Sequence, residues 1–138
     1  MNQFQIKEGR GENGTGYPMS DGGELTVFDP SVLCQFVGDD EAIINGFLRE
    51  YIISADAIGS SISEAIDKKD WQMVGELAHR LKSSSLTVGA LLLGELCTSL
   101  ETACNEAEFE QAMSLAATFS ANWTCTMKQI RRHVSTSE

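Results

Sequence analysis

Between residues 44 and 65 the chain places Ile44, Leu48, Tyr51, Ala55, Ile58, Ile62 and Ala65 at steps that alternate between four and three. Residues spaced this way share one face only in an α-helix. The segment therefore predicts a long amphipathic helix over about residues 40 to 68, with its apolar seam sustained for about six turns. A helix cannot cover such a seam by itself, so the rest of the chain must supply surfaces to pack against it.

The remaining apolar patterns are helical too. Asp29 is placed to cap and Pro30 suits a first helical position, while Gly38 can close a short helix that ends near Val37. Asp70 can cap a third helix from Trp71 to about Val88, and Gly89 marks the break before "ALLLGELCTSLETACNEA", whose apolar positions include Leu93, Leu96, Leu100 and Ala103. The fifth helix carries Phe109, Ala112, Ala116, Phe119, Trp123 and Ile130, and its end gathers Lys128, Arg131, Arg132 and His133 near the negative pole of the dipole. No segment of comparable length reads as a strand. Four substantial helices joined by short connections predict an all-α fold, an antiparallel four-helix bundle with a short additional N-terminal helix.

With 138 residues, 42% of them apolar, the chain has enough for one sizeable core. That domain is placed at residues 27–138. Residues 1–26, with "GRGENGTG" and "SDGG", have no periodic apolar face and read as a flexible tail or linker. Twenty acidic residues against ten basic ones give a formal charge of -10, which argues against nucleic acid and anionic membranes as partners. No apolar run is long enough to insert into a membrane, and the first residues lack a signal-peptide core, so a cytoplasmic location is expected. Cys34, Cys97, Cys104 and Cys125 show no CxxC spacing and read as buried free thiols. No metal site is expected, because His133 is the only other histidine and lies far from His79.

The third helix is the unusual one. It sets His79, then Lys82, then Ser83, Ser84 and Ser85 in its middle. On a helical wheel with Leu77 at zero, Val74, Leu81, Ser84 and Val88 fall within about 60° of it and form the expected core stripe. His79 lands near about 200°, with Gly75 at about 160°, Lys82 at about 140°, Ser83 at about 240° and Leu86 at about 180°. His79 should face solvent. The small residues Gly75 and Ser83, one turn to either side, should clear space around its imidazole, and Leu86 on the same face offers a dry contact to a docking partner.

The order His-x-Leu-Lys-small-Ser in "AHRLKSSSLTVGA", followed by "LLLGELCTSLE", resembles histidine-containing phosphotransfer domains, the HPt modules of multistep phosphorelays. The likeness covers about residues 27 to 134. By that resemblance His79 is the phosphoryl-accepting nucleophile and Lys82 the cation that helps hold the phosphoryl oxygens. Gly75, Ser83 and Leu86 fall where a partner docks, and Gly89 matches the glycine that ends this helix. The family commonly has Gly at the position of Ser83, so the chain departs from the pattern there. The resemblance suggests the distal ring nitrogen as the one modified.

An unperturbed imidazole, with a pKa near about 6.5, is mostly neutral at neutral pH and offers a lone pair for covalent phosphoryl carriage. No Gly-rich phosphate loop or GxxxxGK motif is present, so ATP binding is not expected and the chain reads as a carrier without cofactors of its own. The resemblance implies response-regulator receiver domains as partners, with Mg²⁺ supplied by the receiver, and leaves room for a hybrid sensor kinase in cis. A monomer is expected. A kinase dimerisation hairpin fits poorly, since Arg80 stands where that module has an acidic residue and no Pro follows. The alternative is an interaction-only helical bundle that binds a receiver or kinase without phosphotransfer.

Overall fold

The computed structural model describes residues 25–137, and among these the regular structure is helical. Helix α1 spans Pro30–Val37, α2 Glu41–Asp67, α3 Trp71–Val88, α4 Leu91–Asn105 and α5 Phe109–Ser137. The predicted caps are in place. Asp29 accepts from Ser31 N at 3.0 Å, Asp40 from Ala42 N at 2.9 Å and Asp70 from Met73 N at 3.2 Å. Each cap satisfies an amide that the first turn of its helix leaves without a carbonyl partner.

All seven seam residues of α2 are buried. They face a ring in which α2 touches α3 and α5, and α4 touches the same two, so α3 and α5 occupy opposite corners. Leu48, Ile62, Leu81, Leu93, Leu100, Phe119 and Ile130 are fully enclosed at its centre. Burial of each such side chain is worth about 1.5–3 kcal/mol, and together these contacts hold the helices in register. Helix α1 lies across the end of the bundle, against α3 and α2.

Gly89 makes that lid possible. Its φ of 98° is left-handed, and its carbonyl accepts from Asp29 N at 2.9 Å, so the cap of α3 joins the cap of α1. A Cβ at Gly89 would lie 2.0 Å from the Asp29 carbonyl oxygen. Ahead of α1, the extended segment from Leu25 is clamped by one side chain of α5. Gln129 Oε1 accepts from Val27 N at 2.9 Å, and Gln129 Nε2 donates to Leu25 O at 2.7 Å.

Three expectations change. Most of the tail expected over residues 1–26 lies outside the described residues, but Leu25 is already held on the bundle, so the packed region starts earlier than residue 27. Helix α5 runs on to Ser137, so Lys128, Arg131, Arg132 and His133 do not occupy its last turn. Arg131 pairs instead with Asp56 on α2, and His133 packs edge-on against Phe28 with ring centroids 5.5 Å apart. All four cysteines are free thiols, yet only Cys97 is buried; Cys34, Cys104 and Cys125 are half-exposed because they sit at helix edges.

Gly89→Ala is expected to lower stability by at least about 2 kcal/mol, because it adds left-handed strain of about 1–2 kcal/mol to a collision with backbone. Gly89→Asn tolerates the dihedral but still carries a Cβ, and should be nearly as costly. Urea unfolding midpoints check both; a mild Asn variant would show that the collision is not what matters.

Candidate functional site

Helix α3 presents His79 on the surface, with 61% of its side chain exposed. Its Nδ1 lies 2.8 Å from Glu101 Oε2 on α4, and Lys82 Nζ donates to the other oxygen, Glu101 Oε1, at 2.7 Å. One carboxylate, itself 18% exposed, is thus shared between an imidazole and an ammonium. The hydrogen bond from Lys82 holds the Glu101 carboxyl below its ordinary range; burial opposes this, and the bond to His79 adds to it. An ionised carboxylate only accepts hydrogen bonds. Nδ1 therefore carries the proton in this bond, and in the neutral ring the lone pair lies on Nε2.

Helices α3 and α4 can come this close because small residues separate them. Gly75 is buried, and a Cβ there would stand 3.0 Å from Cys104 Cβ; a Cβ at Gly94 would stand 2.4 Å from Leu86 Cδ2. Ala78 is fully enclosed. Beneath the pair, Cys97 is buried and its thiol is pushed up to about 12, first by burial and then by the charge of Glu101, so it is an inert packing group. One turn further along α3, Ser85 donates to Leu81 O at 2.8 Å and meets Tyr51 Oη at 2.7 Å. This buried hydroxyl pair ties α3 to α2, and burial raises the phenol above its ordinary range.

The expected site residues are distributed as follows. His79 and Ser83 are exposed and Lys82 is half-buried against Glu101. Gly75 is not on the open face assigned to it. It is buried against α4, although it also lines a shallow depression of about 390 Å³ beside His79, together with Glu76, Arg80, Glu101 and Asn105. Leu86 is 38% exposed, but its side chain lies over Gly94 and is less available to a partner than its wheel position implied. Ser84 is half-buried, while Ser85 is fully enclosed. These differences share one cause. A helix at the corner of a four-helix ring has two neighbours, so its buried arc reaches from Leu77 round to Gly75 instead of forming a narrow stripe.

Sequence reasoning missed Glu101. It is 22 residues from His79, and no local spacing joins them. The available signal was its place on α4, four residues after the buried Cys97 and directly after the buried Leu100, which puts a carboxylate at the edge of a packed face.

The fold and this site define a small helical module that presents one imidazole, backed by a carboxylate and flanked by an ammonium. The Hpt domain model matches residues 46–135, nearly all of the four long helices, and the chain belongs to the Hpt domain family. Hpt domains are phosphocarrier modules that work with receiver domains in phosphorelays and have no ATP-binding machinery; phosphotransfer relay is the role of this chain in that general sense. Its fold is similar to that of histidine-containing phosphotransfer protein B (HptB) from Pseudomonas aeruginosa PAO1, with a TM-score of 0.69, 21% identity, and coverage of 79% of this chain and 95% of that one. No curated protein matches the chain in sequence. Among the described residues no helix is long and apolar enough to cross a membrane.

Because the folded state holds the Glu101 carboxyl below its ordinary value of 4.5, its contribution to stability is fully present above that pH and is lost as the pH falls through the lower, folded value. Glu101→Gln should therefore be less stable than the parent near pH 7, with the gap closing in acid. Urea unfolding at pH 7 and pH 3 checks this, and a gap independent of pH would assign the loss to packing.

Proposed function

We propose that the chain is a phosphorelay intermediate in which His79 accepts a phosphoryl group from a receiver-domain aspartate and passes it to the aspartate of another receiver. The observation that carries this reading is the shared carboxylate. With Nδ1 bonded to Glu101, the nucleophilic lone pair resides on Nε2, the distal nitrogen of a largely exposed ring.

Nε2 attacks the phosphorus of the aspartyl phosphate. The Nε2–P bond forms as the P–O bond to the aspartate breaks, and the carboxylate leaves with the electron pair. The ring is positive while Nδ1 keeps its proton, and Glu101 offsets that charge across the existing hydrogen bond. Lys82, three residues along α3, is within a side-chain swing of the phosphoryl oxygens and can exchange one anionic partner for another. The reverse transfer uses the same contacts. The receiver contributes the Mg²⁺; the role of this chain is to bind, orient the ring and fix its proton.

Docking needs an open surface around the ring. Ser83 is exposed one turn beyond His79 and small enough to admit a partner's backbone, although it lacks the full clearance of glycine. Elsewhere on the surface, Phe36 on α1 and Ile43 and Phe47 on α2 are large apolar side chains left in solvent, which a protein partner could cover.

Mixed with a labelled phospho-aspartyl receiver and Mg²⁺, the chain should take up acid-labile label, His79→Ala should take up none, and Lys82→Ala should be slower by about 10²-fold. Label on His79→Ala would rule out this assignment. Receiver binding without any transfer, insensitive to His79, would make the chain an interaction-only bundle.

A further inference from the structure

A second cleft lies where α1, the first turns of α2 and the end of α5 meet, away from His79. It encloses about 280 Å³, and its walls include Ser31, Cys34, Asp39, Glu41, Asn45 and His133. We propose that it binds an organic cation, an ammonium or guanidinium group held by Asp39, Glu41 and the side-chain oxygen of Asn45.

Asn45 is the primary observation. It is only 5% exposed, it faces this cleft, and its side-chain amide has no hydrogen-bond partner among the described residues. Buried amides in native proteins are nearly always bonded to protein or water, so one that opens onto a cleft is a ready hydrogen-bonding point for whatever enters it. It sits beside the seam residue Ile44, where an alanine or leucine would pack without that requirement.

The rest of the cleft selects the ligand's charge. Asp39 and Glu41 are exposed and unpaired among the described residues, whereas Asp40 between them is committed to the cap of α2. Ser31 and Cys34 turn their hydrogens inward, Ser31 Oγ to Asp29 at 2.7 Å and Cys34 Sγ to Pro30 O at 3.6 Å, so they present lone pairs to an incoming group. His133 closes the α5 side while packing on Phe28. Two carboxylates with the lone pairs of Ser31, Cys34 and the Asn45 side-chain oxygen outweigh the donors of Asn45 and His133 and attract cations over anions, and the charge of -10 raises the local concentration of any cation. Among the described residues no three His, Cys, Asp or Glu side chains converge closely enough to hold a metal ion, and the volume suits a group larger than one. The apolar surfaces of Pro30 and Ile44 can take the alkyl stem that such groups carry.

This site uses no residue of the phosphoryl centre, so its test is independent of the relay reading. The full chain, labelled with ¹⁵N, is titrated with acetyl-arginine-methylamide, with spermidine and with Zn²⁺ at constant ionic strength, and the side-chain amide pair of Asn45 is followed by NMR. Saturable shifts of that pair with an organic probe are expected, with affinity reduced at least tenfold in Asp39→Asn/Glu41→Gln, whose exposed substitutions leave the fold intact. A response to acetyl-arginine-methylamide alone points to a partner's side chain as the source, and to spermidine alone, to a free polyamine. No saturable shift with either, shifts that survive in the double variant, or saturation by Zn²⁺ alone would each overturn the proposal.

Discussion

Helices α3 and α4 lie close enough for Glu101 to reach His79 because Gly75 and Gly94 put no Cβ between them, and the rest of the site follows from that spacing. Were the two helices separated by ordinary side chains, the carboxylate would have to span the gap. His79 would then be an exposed ring free to choose either tautomer. The close approach also bears on Cys104 of α4, whose Cβ would stand 3.0 Å from a Cβ at Gly75, so a larger group on either helix would force the two apart. Packing and chemistry are set here by the same residues.

The carboxylate in turn distributes charge. Glu101 engages two donors, so neither His79 nor Lys82 meets an uncompensated anion, and the ammonium is kept near the ring. In the proposed transfer the phosphoryl group enters a site that already contains a negative charge. An arriving dianion would compete with Glu101 for Lys82, and that competition would keep the phosphorylated state from becoming a thermodynamic sink. A carrier that must both accept and release requires such a balance.

Much of this was legible in the residues. The four-and-three seam of α2, the aspartate caps and the glycine stops are local signals, and each appears within a residue or two of its expected place. His79 and Ser83 were placed on the correct face by the same periodicity. The failures are all tertiary. A single-helix wheel cannot know that a corner helix has two neighbours, so Gly75 was assigned to open surface although it serves the contact with α4; Leu86 is exposed as expected, with part of its side chain lying over Gly94. The basic residues near the C-terminus looked like a helix end because charge complements the dipole, yet Arg131 is used to reach Asp56 on α2. Glu101 escaped notice because its relation to His79 exists only after two helices have packed.

The Gln129 clamp gives the chain a mechanical polarity. A tension applied through residues ahead of Leu25 is received first by two hydrogen bonds to one α5 side chain and then by the contact of Phe28 with His133. That load enters at the corner of the ring opposite α3. The next bond along the same segment, from Asp29 N to Gly89 O, reaches the C-terminal stop of the His79 helix, so the start of the packed chain is fastened to two opposite corners of the ring at once.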